Sequence, residues 1–209
     1  MLEKLTYLTS VEELRAPYLQ PSTLVRAKQL DRLDRHCCNF IARAPLVIIG
    51  SSHSERGHDV SPRGDAPGFV QILGARHLAI PDRPGNNRLN TMENLLGNPA
   101  IGLLFIIPGV EELLRVNGTA RLTRSQELLR SMSVNGKSLK IAIVVTVIEA
   151  FLHCSKALKR SRLWKDDYRI DRSELPTLGQ MLADQTRLVD LTVKDIEARI
   201  ETDARENLY

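Results

Sequence analysis

The residues best suited to chemistry stand in one short stretch, Ile80-Pro-Asp-Arg-Pro-Gly-Asn-Asn-Arg88. Arg83 and Arg88 offer planar forks of donors, which match phosphate oxygens better than a single ammonium does. Gly85 has no side chain to hold a ligand off the backbone, while Pro81 and Pro84 fix φ and so reduce the entropy lost when the loop orders. The stretch joins a strand-like apolar run to a helix-like one. Asn90 and Thr91 are placed to cap that helix, whose free N–H groups add partial positive charge at the same end. An anion site is one reading of this loop; a solvated loop with an Arg–Asp pair is the other.

Strands must frame such a loop, and periodicity supplies them. Leu114, Val116, Gly118, Ala120 and Leu122 alternate with Leu113, Arg115, Asn117, Thr119 and Arg121, the pattern of a strand with one apolar face. Strand-like runs cover residues 46–50, 69–73, 77–80, 101–107, 113–122 and 140–152, with residues 69–80 forming a hairpin around Gly74. Residues 51–57 read as a polar connector, followed by Asp59-Val-Ser-Pro-Arg-Gly-Asp65. Ser10-Val-Glu-Glu13 has the form of a capping box, and Ser22 precedes one helical run carrying Leu30, Leu33, Cys37, Phe40 and Ile41, closed by Pro45. Residues 89–96 and 125–132 read as helices, and Ile196, Ile200 and Ala204 share one face of a helical tail. Six strand-like runs with few βαβ alternations predict a mainly β architecture with flanking helices, an antiparallel barrel and not a doubly wound sheet. A Gly-x-Gly-x-x-Gly fingerprint is absent, so a Rossmann nucleotide site has no support.

Composition narrows the function classes. A chain of 209 residues, 43% hydrophobic but only 4% aromatic, buries an aliphatic core and lacks a large stacking surface for single-stranded nucleic acid. Its net charge of +4 is dispersed along the sequence, which argues against a nucleic-acid partner. Cys37, Cys38 and Cys154 are an odd set without C-x-x-C spacing, which predicts reduced thiols and a cytoplasmic setting. His53, His58 and His77 lack metal-ligand spacing, so no metal is expected. The amino-terminal stretch lacks the apolar core of a signal peptide. The apolar run at residues 141–148 is too short to cross a bilayer of about 30 Å as a helix, so no membrane association is expected.

Four polar clusters punctuate these elements: Ser61-Pro-Arg63, the loop from Asp82 to Arg88, Glu112 with Arg115, and residues 156–164 with Arg160 and the only tryptophan, Trp164. Together with Gly68-Phe-Val70, Asn98-Pro99, Leu103-Leu-Phe105, Pro108-Gly109, Leu114-Arg-Val-Asn-Gly118 and His153-Cys154, in this order and spacing, the chain resembles the pyridoxamine phosphate oxidase class of FMN-binding split barrels. Within that class it is similar to a group of FMN-dependent enzymes of unassigned substrate. The resemblance covers roughly residues 40–164.

The resemblance implies a six-stranded antiparallel split β-barrel of Greek-key type, forming a homodimer with FMN in clefts between the subunits. It implies an FMN-binding barrel over residues 45–168, a helical segment over 1–44 packing on it, and a helical tail over 169–209. Carried over by position, Ser61, Arg63, Arg83, Asn87 and Arg88 become phosphate contacts, and the backbone of Ile80, Pro81 and Asp82 lies beside the flavin ring. Glu112 and Arg115 reach the cleft from the second subunit, and Arg160 and Trp164 resemble an Arg–Trp pair that approaches the ring. The implied activity is that of an FMN-dependent oxidoreductase acting on a small molecule. The alternative is a non-enzymatic flavin- or haem-binding split barrel, a sensor or storage protein. The chain departs from the true oxidases in two places. Asn86-Asn87-Arg88 replaces their Ser-Arg-Lys core, and their basic carboxyl-terminal segment gives way to an acidic, amphipathic tail. No residue declares itself as a proton donor or nucleophile. Structural alternatives stand beside these roles: Ser61-Pro62 and Asp65 shape a turn, Arg115 forms a cross-strand ion pair, and Trp164 anchors the tail.

Overall fold

The computed structural model describes residues 4–186 and 190–209. Its centre is a sheet of β1 (Leu46–His53), β2 (Gly57–Gly64), β3 (Gln71–Gly74), β4 (His77–Pro81), β5 (Ala100–Ile106), β6 (Leu113–Thr123) and β7 (Ala142–His153). Every pairing is antiparallel, in the order β2-β1-β5-β6-β7-β4-β3. This corrects the expected six-stranded split barrel to a seven-stranded sheet in an open order. The additional strand is β2, read from sequence as connector and turn. Its residues are exposed or half-buried throughout, so no apolar alternation betrays it. Pro62 and charged side chains suit its place at the edge, where they discourage further pairing.

The alternation in β6 puts Leu114, Val116 and Ala120 in the core. There they meet Phe105, Ile49, Leu78, Ile80 and Val145, all fully buried. Each such large apolar side chain contributes about 1.5–3 kcal/mol relative to exposure. The β6–β7 register shifts between Asn117, which faces Glu149, and Gly118, which faces Val147, so Ile148 is an extra, bulged residue of β7. Gly118 is required there, because a Cβ would collide with the Thr146 carbonyl.

Helices flank the sheet: α1 (Val11–Arg15), α2 (Thr23–Ala27), α3 (Arg35–Ile41), α4 (Asn90–Gly97), α5 (Gln126–Ser131), α6 (Lys156–Ser161), α7 (Leu178–Thr186) and α8 (Val193–Glu206). Ser10 and Ser22 cap α1 and α2 through the Glu13 and Val25 N–H groups. The reciprocal bond of the expected capping box runs instead to Thr9, whose N–H donates to Glu13 Oε2. The single helix expected from Ser22 to Pro45 is two helices. The chain breaks between them because Leu30 exchanges backbone hydrogen bonds with Ala150 of β7 and Asp34 starts a new helix by capping the Cys37 N–H. At the other end of the sequence Thr192 closes a capping box on α8, which packs on α7 with Ile196 buried. No described helix is long and apolar enough to cross a membrane.

Candidate functional site

Strand alternation puts Asp59, Ser61 and Arg63 on one face of β2, half-buried, while Val60 and Pro62 face outward. Beside them the chain leaves β4 through Asp82, whose N–H donates to the Ile141 carbonyl at 3.2 Å. It then turns sharply: Asn86 Oδ1 accepts from the Arg88 N–H at 3.1 Å, and Asn87 and Leu89 adopt positive φ of 58° and 55°. Left-handed backbone at non-glycine residues costs on the order of 1–2 kcal/mol each, a strain often found where a loop grips a ligand.

The helix that follows is not capped as its sequence suggests. Leu89 occupies the N-cap and makes no side-chain hydrogen bond. Thr91, expected as a cap, turns its hydroxyl to Asp59 Oδ2 at 3.1 Å and so ties α4 to β2. The first N–H groups of α4 are therefore left for another acceptor. Deeper in the same helix, Asn94 is buried and donates to Ser51 Oγ at 2.9 Å, fixing α4 on β1.

These elements enclose a cavity of about 760 Å³. Its wall includes Ser61, Arg63, Asp82, Arg83, Asn87 and Arg88, so six of the twelve sequence-predicted residues come together. The wall also takes Asn90 and Thr91, which the sequence offered only as caps, and Asp59, Arg124, Lys140, Asp203 and Asn207, which sequence reasoning did not assign to the site. Arg124 and Lys140 flank the connection from β6 to β7, and nothing local marks that connection as facing a ligand. The five cations on this wall outnumber its three carboxylates, and the side chains of Arg88, Arg124 and Lys140 form no ion pair among the described residues.

The two deeper arginines differ. Arg83 is held by the protein at two of its three nitrogens: Nε donates to Asp65 Oδ2 at 2.6 Å and Nη1 to the Met132 carbonyl at 2.9 Å. Arg63 is only loosely held, 3.6 Å from Asp82 Oδ1, and its Nε is buried without a partner among the described residues. A buried donor left unsatisfied costs about 1–3 kcal/mol, which a bound anion would recover. Burial pushes the Asp82 carboxyl above its usual range, with Arg63 and Lys140 pulling the other way.

The remaining predicted residues stand elsewhere. Ile80 and Pro81 are buried in β4, with Ile80 in the core. Arg115 on β6 donates to Glu149 on β7 at 2.6 Å and lies 4.2 Å from the Phe151 ring centroid, so it does form the cross-strand pair. Asn117 and Gln29 donate to the same carboxylate. Trp164 Nε1 donates to the Val110 carbonyl at 2.8 Å, while Glu112 and Arg160 are exposed. None of these four residues lines the cavity of the same chain.

The family model described as "Pyridoxamine 5'-phosphate oxidase" matches residues 33–164. Curated proteins give no significant match. Among solved structures, HupZ of Group A Streptococcus aligns at 11% identity and TM-score 0.48, over 57% of this chain and 93% of its own. A putative pyridoxamine 5'-phosphate oxidase of Lactobacillus delbrueckii aligns at 16% identity and TM-score 0.47, over 59% and 98%. An FMN-binding protein of Syntrophomonas wolfei aligns at 11% identity and TM-score 0.42, over 56% and 88%. These three TM-scores lie below 0.5, and the assignment rests on the sequence match. Because that match spans more than half of the chain, the protein belongs to the pyridoxamine 5'-phosphate oxidase family.

Proposed function

We propose that the cavity between β2, the 82–89 loop and α4 binds FMN, and that the protein is a flavin-dependent oxidoreductase acting on a small molecule. The carrying observation is the convergence on one wall of a buried Arg63 Nε, the uncapped start of α4 and the cations Arg88, Arg124 and Lys140, the Nε and these three cations having no partner among the described residues. That donor set fits a terminal phosphate. The volume lies within the range of small-molecule sites.

In this reading Arg63, Arg88, the Nη2 of Arg83 and the first N–H groups of α4 hold the phosphate, with Ser61 as a hydroxyl partner. Asp59 keeps Thr91 turned toward β2, and Asp82 sets the position of Arg63. Bound FMN would supply the hydride or electron chemistry, which no described residue on this wall provides. A haem reading is less well supported, because the wall offers Met92 but no His, Cys or Tyr as an axial ligand. The proposal extends to a homodimer. Leu5, Tyr7, Leu8, Val11, Leu14 and Tyr18 are exposed and suit burial against a second copy, and Arg115, Arg160 and Trp164 would reach a cavity only on another subunit. The three free cysteines support a reducing, cytoplasmic setting.

Flavin fluorescence titration tests the proposal. FMN is expected to bind at least about tenfold more tightly than riboflavin, as one charge-assisted hydrogen bond would produce. Equal affinity, or a haem spectrum in the purified protein, would overturn it.

A further inference from the structure

Asp65, at the end of β2, has a side chain only 3% exposed, beside an Arg83 side chain 15% exposed. A carboxylate so buried is tolerated when its lone pairs are met. Arg83 Nε meets Oδ2, while Oδ1 accepts from the Ala66 N–H at 2.7 Å and from the Tyr209 hydroxyl at 2.8 Å. The Tyr209 ring lies 5.8 Å below the Arg83 guanidinium, within cation–π range. Lys137 Nζ holds the Tyr209 carbonyl at 2.5 Å. Among the described residues, the polar contacts between the 190–209 segment and the sheet with its connections all run through Tyr209. The same segment puts Asp203 and Asn207 on the cavity wall.

We infer that Tyr209 is a positioning residue for Arg83. By closing the Tyr209–Asp65–Arg83 chain it fixes the guanidinium plane at the phosphate end of the cavity and couples the docking of α8 to anion affinity. The inference rests on the proposed FMN site for its ligand but not for its geometry. Asp65, Met132 and the Tyr209 ring constrain Arg83 from three sides, leaving Nη2 without a protein partner among the described residues. A guanidinium held this way offers that nitrogen without reorganising when an anion arrives. The phenol stays a donor, because its hydrogen bond to the Asp65 carboxylate pushes its pKa up.

Two readouts test this. In the ligand-free full chain, the Arg83 Nε–H resonance, identified by its loss in Arg83→Lys, should exchange slowly with solvent. Exchange should quicken about tenfold in Tyr209→Phe, which loses only the hydroxyl, and further in Tyr209→Ala. With ligand, Tyr209→Phe should weaken FMN several-fold and leave riboflavin unmoved. An unchanged Nε–H exchange rate in both variants would overturn the inference, as would equal weakening of FMN and riboflavin. If the wild type binds neither ligand, the FMN reading of the cavity falls, and the exchange measurement alone decides the role of Tyr209.

Discussion

Arg88 and Asp65 represent the two ways this chain uses charge. Arg88 stands exposed on the cavity wall without an ion-pair partner among the described residues. Replacing it by Ala should leave stability nearly unchanged and weaken FMN by about 1.5–3 kcal/mol, measured by titration. Asp65 is the opposite case. Burial alone would raise its pKa, but hydrogen bonds from Tyr209, Ala66 and Arg83 outweigh burial and hold it below the usual carboxylate range. A depressed folded-state pKa contributes stability that is present above the unfolded value, about 3.9, and lost as pH falls through the folded one. Asp65→Asn should therefore cost about 3 kcal/mol in urea unfolding at pH 7, since it strands Arg83. The gap to wild type should close as pH falls below about 4. A constant gap down to pH 2 would show that packing, not the ion pair, carries the effect. The sequence marked Arg88 and Arg83 alike as phosphate ligands. It could not show that Arg83 has an aspartate and a carbonyl already waiting, because Asp65 and Met132 are brought to it by other strands and connections.

Element by element, legibility followed apolar periodicity. β6 and β7 were plain because one face of each is buried and side chains alternate, and the β3–β4 hairpin because two apolar runs flank Gly74. β2 was not, although it carries Asp59, Ser61 and Arg63, because an edge strand beside a polar cavity has no apolar face to show. The uncapped α4 was hidden for a related reason: Asn90 and Thr91 are good capping types, and only the packing of α4 on β1 and β2 turns Thr91 toward Asp59. The β7 bulge opposite Gly118 gives the sharpest element-scale prediction. Gly118→Ala should destabilise the fold by at least about 2 kcal/mol, because the Thr146 carbonyl must move and with it the β6–β7 ladder. Gly85→Ala, in open space on the cavity wall, should cost far less in the same thermal or urea measurement.

For the whole molecule the testable quantity is linkage between flavin and assembly. If Arg115, Arg160 and Trp164 serve a cavity on a second subunit, FMN recognises the dimer and must stabilise it by mass action. Sedimentation across a dilution series should then show FMN shifting dissociation to lower protein concentration. A monomer that holds FMN with undiminished affinity would return Arg115 to its ion pair with Glu149, and Trp164 to its hydrogen bond with Val110, as structural contacts alone. What the sequence determined by itself was local: which runs alternate, which loop concentrates arginines between prolines, and an order of motifs specific to one family. Those signals survive in one dimension because periodicity and turn chemistry act between near neighbours. Only the tertiary structure decided that β2 is a strand, that Arg124, Lys140 and α8 share a wall with Arg88, and that Tyr209 braces Asp65 and Arg83. These are contacts between residues far apart in the chain, and the register of an antiparallel sheet and the docking of a helix set them rather than any local preference.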